Sequence, residues 1–300
     1  MVGDWTLGIC RIGMHAADSP IGLLAAAGRF PVAFAEKARL LGRPVACVGM
    51  KHLAAPELQT ICPHFTWAGL GRMGKVIRWF QRQGVSEIVM AGKVHKAALL
   101  KPWRLLQLMP DLRTLRFWYS RRRRDNRDDS LLLGLIAEFE RDGLRFGSAL
   151  DYCPELLVRP GTLTRRRPTP AESADIAFGW ELAKEMGRLD VGQSVAVHER
   201  AVLAVEAIEG TDQAILRAGR LCRRGGFTVV KVAKPEQDMR FDVPTIGATT
   251  IESMRQAGGR VLAIEAGKTI VLDEALTVAL ADRYGMTIVA LSAAEIARAA

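Results

Sequence analysis

Short apolar runs alternate with longer amphipathic stretches along most of the chain. Ile21–Ala25, Val45–Val48 and Ile88–Ala91 each read as a buried strand, because every position is apolar or glycine. Between them, 31–41 carries Phe34, Ala38 and Leu41 at helical spacing and stops at Gly42, and 73–83 reads as a helix stopped by Gly84. Buried runs alternating with helices predict βαβ units and a parallel sheet covered on both faces. A helix over 131–141, with Asp128 or Asp129 as its cap, ends this first region.

The stretch 151–168 is rich in proline, with Pro154, Pro160 and Pro168, and reads as a linker. A second α/β pattern follows it. Helices are predicted over 171–189, 212–223, 249–257 and 274–283, and strands over 227–232 and 286–291. The runs 194–197 and 202–205 form a hairpin around His198-Glu199-Arg200, and 261–264 and 270–272 lie around a Gly267 turn. Thr249 and Glu252 have capping-box spacing. The expected fold class is α/β with two domains: a Rossmann-like parallel sheet over 20–150 and a mixed α/β domain over 169–300. Residues 1–19 form an N-terminal extension.

Segment 99–124 departs from this alternation. It carries eight basic residues (Lys101, Arg104, Arg113, Arg116 and Arg121–Arg124) against one acid, Asp111, with Trp103, Phe117, Trp118 and Tyr119 interleaved. It holds most of the excess behind the chain's net charge of +10. Such a segment suits a solvated helix face, a nucleic acid or an acidic lipid surface, and composition leaves these three open. No apolar run approaches the about 18 residues of a spanning helix. The five cysteines are widely spaced with no CxxC, which argues against a disulfide framework or a zinc ribbon and favours a reducing compartment.

Candidate chemistry concentrates in 206–242. Glu206-Ala207-Ile208-Glu209-Gly210-Thr211-Asp212 runs from a strand end into a helix, where Thr211 or Asp212 suits an N-cap. Lys231-Val232-Ala233-Lys234-Pro235-Glu236-Gln237-Asp238-Met239-Arg240-Phe241-Asp242 leaves a buried strand and packs cations and acids into one loop. Loops at the carboxyl ends of parallel strands are where α/β proteins place their sites. Lys231, Lys234 and Arg240 are candidates for phosphate oxygens. Asp238 and Asp242, with Asp212 and Glu209 behind them, are candidates for a hard divalent cation. In the first region, Ala26-Ala27-Gly28-Arg29 follows a strand and opens a helix, where backbone N–H groups can meet a phosphate. Gly69-Leu70-Gly71-Arg72-Met73-Gly74 fits GxGxxG by letter, and a plain helix start explains it equally well.

These stretches resemble the Lpx-I family of UDP-2,3-diacylglucosamine pyrophosphatases. The resemblance is carried by IGLLAAAGRFPVAFAEKARLLGRPV (21–45), GLGRMGKVIRWFQRQGVSEIVMAGKV (69–94), VGQSVAVHERAVLAVEAIEGTDQAI (191–215) and KVAKPEQDMRFDVPTIGATTIESMRQAGGRVLAIEAGKTIVLD (231–273). It implies a cytoplasmic enzyme of lipid A synthesis that splits UDP-2,3-diacylglucosamine into UMP and 2,3-diacylglucosamine 1-phosphate with Mg²⁺. It also implies a substrate held between two domains, and attack by water on the sugar-linked phosphorus. Asp238 or Asp242 would then be catalytic or hold the metal. Lys231, Lys234, Arg240 and Thr211 would bind substrate, with Gly28 and Lys93 on the first domain. The family's glycine-rich first turn is replaced by alanine at 25–27. Because the substrate carries acyl chains, the basic segment is expected to dock peripherally on the inner membrane, with no nucleic-acid partner and with a homodimer left open. The alternative is a non-enzymatic nucleotide sensor that uses the basic segment for nucleic acid or acidic membrane.

Overall fold

The computed structural model describes residues 19–92, 110–121, 128–235, 238–240 and 243–299. The described chain divides into two compact units, with the change-over at Gly147–Ser148.

In the first unit, β1 (Ile21–Ala25), β2 (Val45–Met50), β3 (His64–Ala68), β4 (Glu87–Ala91) and β5 (Arg145–Gly147) form a fully parallel sheet in the order β3-β2-β1-β4-β5. This is the doubly wound order, with its switch point between β1 and β4. Helices α1 (Phe30–Leu40), α2 (Leu58–Ile61), α3 (Met73–Arg82), α4 (Leu112–Arg121) and α5 (Asp128–Glu140) complete it. The buried stripe of α3 is Met73, Val76, Ile77 and Phe80, at the spacing of one helix face. Full burial of each such side chain contributes roughly 1.5–3 kcal/mol. Strand β3 was not visible in the residue pattern. It lies at the sheet edge and reads His-Phe-Thr-Trp-Ala, with only Ala68 buried. A one-sided edge strand needs no continuous apolar run.

The second unit contains a mixed sheet in the order β6-β13-β11-β9-β7-β8. Its strands are β6 (Gly161–Thr162), β7 (Ser194–His198), β8 (Ala201–Val205), β9 (Thr228–Lys231), β11 (Val261–Glu265) and β13 (Thr287–Leu291). β9, β11 and β13 are parallel; β7 runs against β9, β8 against β7 and β6 against β13. A separate parallel pair joins β10 (Thr245–Ile246) to β12 (Ile270–Val271). The two runs flanking Gly267 are therefore not partners: β11 enters the main sheet and β12 leaves it.

Helix α6 (Pro170–Arg188) places Ile176, Trp180, Ala183 and Met186 in a core with Val195, Val197, Val230 and Ala263. Helices α7 (Thr211–Leu221), α8 (Ala248–Ala257) and α9 (Glu274–Arg283) help close a second core around Ile215, Phe227, Val229, Leu262 and Ile264. Helix α10 (Ala293–Ala299) follows β13.

The hairpin expected around 198–200 forms. Its turn residues Glu199 and Arg200 are both left-handed, with φ 50° and 58°. Asp175 of α6, 5% exposed, accepts from both of their backbone N–H groups at 3.1 and 2.6 Å.

The stretch expected as a linker is built into the second unit. Leu163 donates its N–H to Ile288 O, Val158 donates to Thr269 O, and Arg166 pairs with Glu172 at 2.6 Å. It contains the short strand β6 and a 3₁₀ turn at 154–156 that opens on Pro154, preceded by a second 3₁₀ turn at 149–151 capped by Ser148.

Two cap expectations are corrected. α7 is capped by Gly210, φ 84°, so Thr211 and Asp212 are its first helical residues. α8 begins after Gly247 without a side-chain cap, and Glu252 instead accepts from Tyr284 Oη at 2.7 Å and pairs with Arg255. The four described cysteines, 47, 62, 153 and 222, are free thiols. No described helix is long and apolar enough to cross a membrane.

Candidate active site

Strand registers collect the polar residues of the second unit at one edge of its sheet. Ser194 lies opposite Lys231, Ile264 beside Lys231, Val195 opposite Val205 and Glu265 beside Leu291. Thus the ends of β8, β9 and β11 and the start of β7 present Glu206, Lys231, Glu265 and Ser194 at that edge. For the parallel strands this is the carboxyl end, where crevices for ligands form.

Lys231 is 2% exposed. Its Nζ donates to Thr211 Oγ1 at 3.0 Å and to Thr245 O at 3.1 Å. The Thr211 hydroxyl donates in turn to Glu206 Oε1 at 2.8 Å, and Ser194 Oγ lies 3.4 Å from it. Glu206 is 8% exposed, and its Oε2 has no hydrogen-bond partner among the described residues. The expected phosphate ligands Lys231 and Thr211 are thus members of a buried network, with their polar atoms turned toward each other. Thr211 mediates between a cation and a carboxylate, which spares either the full cost of burial alone.

The loop after β9 leaves this edge. Lys234 pairs through Nζ with Asp190 Oδ1 at 2.5 Å. Asp238 faces Arg240 in a fork: Nη2 to Oδ2 is 2.6 Å, Nε to Oδ1 is 3.0 Å, and the Arg240 N–H also donates to Oδ1 at 3.0 Å. The side-chain bonds from Arg240 hold the Asp238 carboxyl below the ordinary aspartate range, against a smaller opposing push from burial. Ser148 Oγ donates to Met239 O at 3.1 Å and ties the far side of the loop down. Asp242 and Lys93 lie outside the described residues.

The acids around the start of α7 separate in role. Glu209 forms an ion pair with Arg217 at 2.7 Å. Asp212, in the first turn of α7, has one buried oxygen, Oδ1, without a hydrogen-bond partner among the described residues. Among the described residues no three carboxylate, imidazole or thiol groups converge on one point.

Gly28 belongs to the first unit. It sits at φ +107° just beyond β1, and among the described residues none occupies the space a Cβ would take. The glycine pattern at 69–74 is a helix start: Asp111 Oδ2 accepts the Lys75 N–H at 3.2 Å at the N-terminus of α3. Asp111 Oδ1 also accepts from the N–H and the hydroxyl of Thr114. Burial pushes the Asp111 carboxyl up, but these bonds outweigh it and the carboxyl sits below its ordinary range. An internal carboxylate occupies the place a phosphate would need there.

Glu206, Lys184, Glu265 and Asp190 were missed by sequence reasoning. Glu206 stood inside the quoted 206–212 motif, and its position at a strand end next to a helix start was the available signal. Nothing local marks Lys184 or Glu265. A cleft of about 490 Å³ lined by Leu157, Val158, Pro160, Ala266 and Ser292 holds none of the expected site residues.

The LpxI N-terminal domain family matches residues 20–156, and the LpxI C-terminal domain family matches 159–289. The chain is also 33% identical over 288 residues to the UDP-2,3-diacylglucosamine pyrophosphatase LpxI of Caulobacter vibrioides, covering 92% of this chain and 98% of that protein. With both domain families matched in order across nearly all of its length, the chain belongs to the LpxI family.

Proposed function

We propose that the protein hydrolyses the pyrophosphate of UDP-2,3-diacylglucosamine, releasing UMP and 2,3-diacylglucosamine 1-phosphate for lipid A synthesis. The observation that carries this reading is the Asp238–Arg240 fork on the loop leaving the carboxyl end of β9, in a chain of this family. Pyrophosphate cleavage needs cations on the phosphate oxygens and an oriented water. Arg240 matches a diphosphate as well as it matches a carboxylate, because both take a bidentate guanidinium. Diphosphate binding then competes for Arg240 and frees an already ionised Asp238 to orient water toward the sugar-linked phosphorus. Asp242 is the second candidate for that role.

Mg²⁺ fits the donor set. It needs only one or two protein carboxylates beside substrate phosphates and water. Asp212, whose Oδ1 has no hydrogen-bond partner among the described residues, and Asp238, once released from Arg240, would hold it; Glu209 is engaged with Arg217. When bound, the cation supplies neutralisation of the diphosphate charge.

We further place the enzyme peripherally on the cytoplasmic face of the inner membrane. Helix α4 leaves Leu112, Leu115, Trp118 and Tyr119 exposed, directly before the Arg121–Arg124 run. Aromatic and apolar groups beside cations suit an acidic lipid interface.

The test is UMP release from UDP-2,3-diacylglucosamine with Mg²⁺ or with EDTA, run in ¹⁸O-water. Metal-dependent release with label in the sugar phosphate supports the whole reading. Label in UMP reverses the point of attack. Absence of release from folded protein, together with steeply salt-dependent binding to random DNA, favours the non-enzymatic alternative.

A further inference from the structure

The start of the loop that carries Asp238 is held by one face of α6. Lys184 Nζ donates to Ala233 O at 2.9 Å and to Glu265 Oε2 at 2.6 Å. The Ala233 N–H donates to the same Glu265 oxygen at 2.8 Å. Both backbone groups of one residue are therefore taken by the two members of one ion pair. Glu265 ends β11 and is 3% exposed; Lys268 Nζ lies 3.2 Å from its other oxygen. One turn further along α6, Gly187 leaves room for the chain: a Cβ there would stand 3.2 Å from Lys234 Cα and 3.3 Å from Pro235 Cδ. Just past the helix, Asp190, φ 56°, holds Lys234 Nζ. Positions 184, 187 and 190 follow a three-residue step and meet 233, 234 and 235.

An ion pair with one member buried and the other partly exposed is a weak stabiliser, because desolvation of Glu265 offsets much of the attraction. An apolar pair of similar volume would hold α6 on the sheet as well. It would not hold a peptide group by both its N–H and its C=O. We propose that Lys184 and Glu265 are positioning residues for the hydrolytic reaction. They fix the origin of the 232–240 loop, with Gly187 and Asp190 completing the cradle. Their role rests on the assignment of that loop to catalysis. A displacement of about 1 Å in a reacting group costs up to about 100-fold in rate, so a loop this short needs a fixed origin.

The test uses the full chain with Lys184→Met, Lys184→Arg and Gly187→Ala. Each is made alone and in whichever of the Asp238→Ala and Asp242→Ala backgrounds lowers turnover. Kinetics with UDP-2,3-diacylglucosamine are read alongside hydrogen–deuterium exchange of peptides spanning 228–245. Lys184→Met is expected to lower kcat about 10- to 100-fold with little change in KM. It should also speed exchange in the loop while β7 and β11 stay protected. In the aspartate background it should cost almost nothing more, because both changes act through one loop. Lys184→Arg should recover part of kcat, and Gly187→Ala should repeat the pattern more weakly if Lys184→Met does not fold. Unchanged loop exchange, or a kcat loss that adds in full to that of the aspartate variant, overturns the proposal. Faster loop exchange in a protein whose wild type releases no UMP refutes the substrate assignment and leaves the cradle standing.

Discussion

Asp238 and Arg240, two residues apart, close on each other as carboxylate and guanidinium, with Nη2 2.6 Å from Oδ2. The pair fixes how Asp238 responds to pH. Its folded-state carboxyl lies below the ordinary value, so whatever it contributes to stability is present above the unfolded value. That contribution is lost as pH falls through the depressed folded value. The acid limb of kcat/KM in the free enzyme should therefore lie below the usual aspartate range, and Arg240→Ala should move it upward. A limb that stays in place in Arg240→Ala would assign it to another group. Asp238→Ala and Asp242→Ala, measured separately for UMP release, should show a loss of orders of magnitude at one of them. Full turnover in both removes the catalytic assignment.

Thr211 links Lys231 to Glu206 through one hydroxyl. Thr211→Val keeps the shape and deletes that link, leaving buried groups short of a partner. Urea unfolding should show a loss of about 1–3 kcal/mol. Equal stability would mean that the two charged groups find other partners without strain.

Asp175 closes the β7–β8 turn through two backbone N–H groups. Asp175→Ala should cost about 1–3 kcal/mol in urea unfolding by leaving those groups unsatisfied. Hydrogen exchange should quicken at the turn before it quickens in β9.

Asp111 meets the N-terminus of α3 and the first turn of its own helix. Its depressed carboxyl predicts stability that is present above the unfolded value and declines as pH falls through the folded one. Asp111→Ala should lower stability at neutral pH by about 0.5–2 kcal/mol, the usual worth of a helix cap. It should also flatten the acid side of the stability curve, as read by thermal unfolding between neutral and acidic pH.

Vesicle sedimentation checks the membrane reading. Wild type should pellet with anionic vesicles and less with neutral ones. An Arg121–Arg124 to Ser variant, and separately Trp118→Ser, should each pellet less. Equal pelleting by wild type and both variants excludes α4 and its arginine run as the contact.

Elements whose cause is local are legible in the residues alone. The helix expected over 171–189, the all-apolar strands and the 198–200 turn follow from periodicity and turn chemistry, and they appear within a residue or two of expectation. The stretches 191–215 and 231–273 also carry much of the family resemblance, which the domain matches bear out. Tertiary structure alone decided what depends on register and on distant partners. Thr249 and Glu252 have the letters of a capping box, yet Glu252 is drawn to Tyr284, 32 residues away. Lys231 reads as a phosphate ligand, yet the sheet buries its ammonium against Thr211. Lys184 and Glu265, 81 residues apart, meet only because α6 packs on β7 and β9 and β11 is the next strand to β9. Periodicity says which face of an element is buried. Which polar groups share an edge is set by the order of strands in the sheet, and no local window of residues encodes that order.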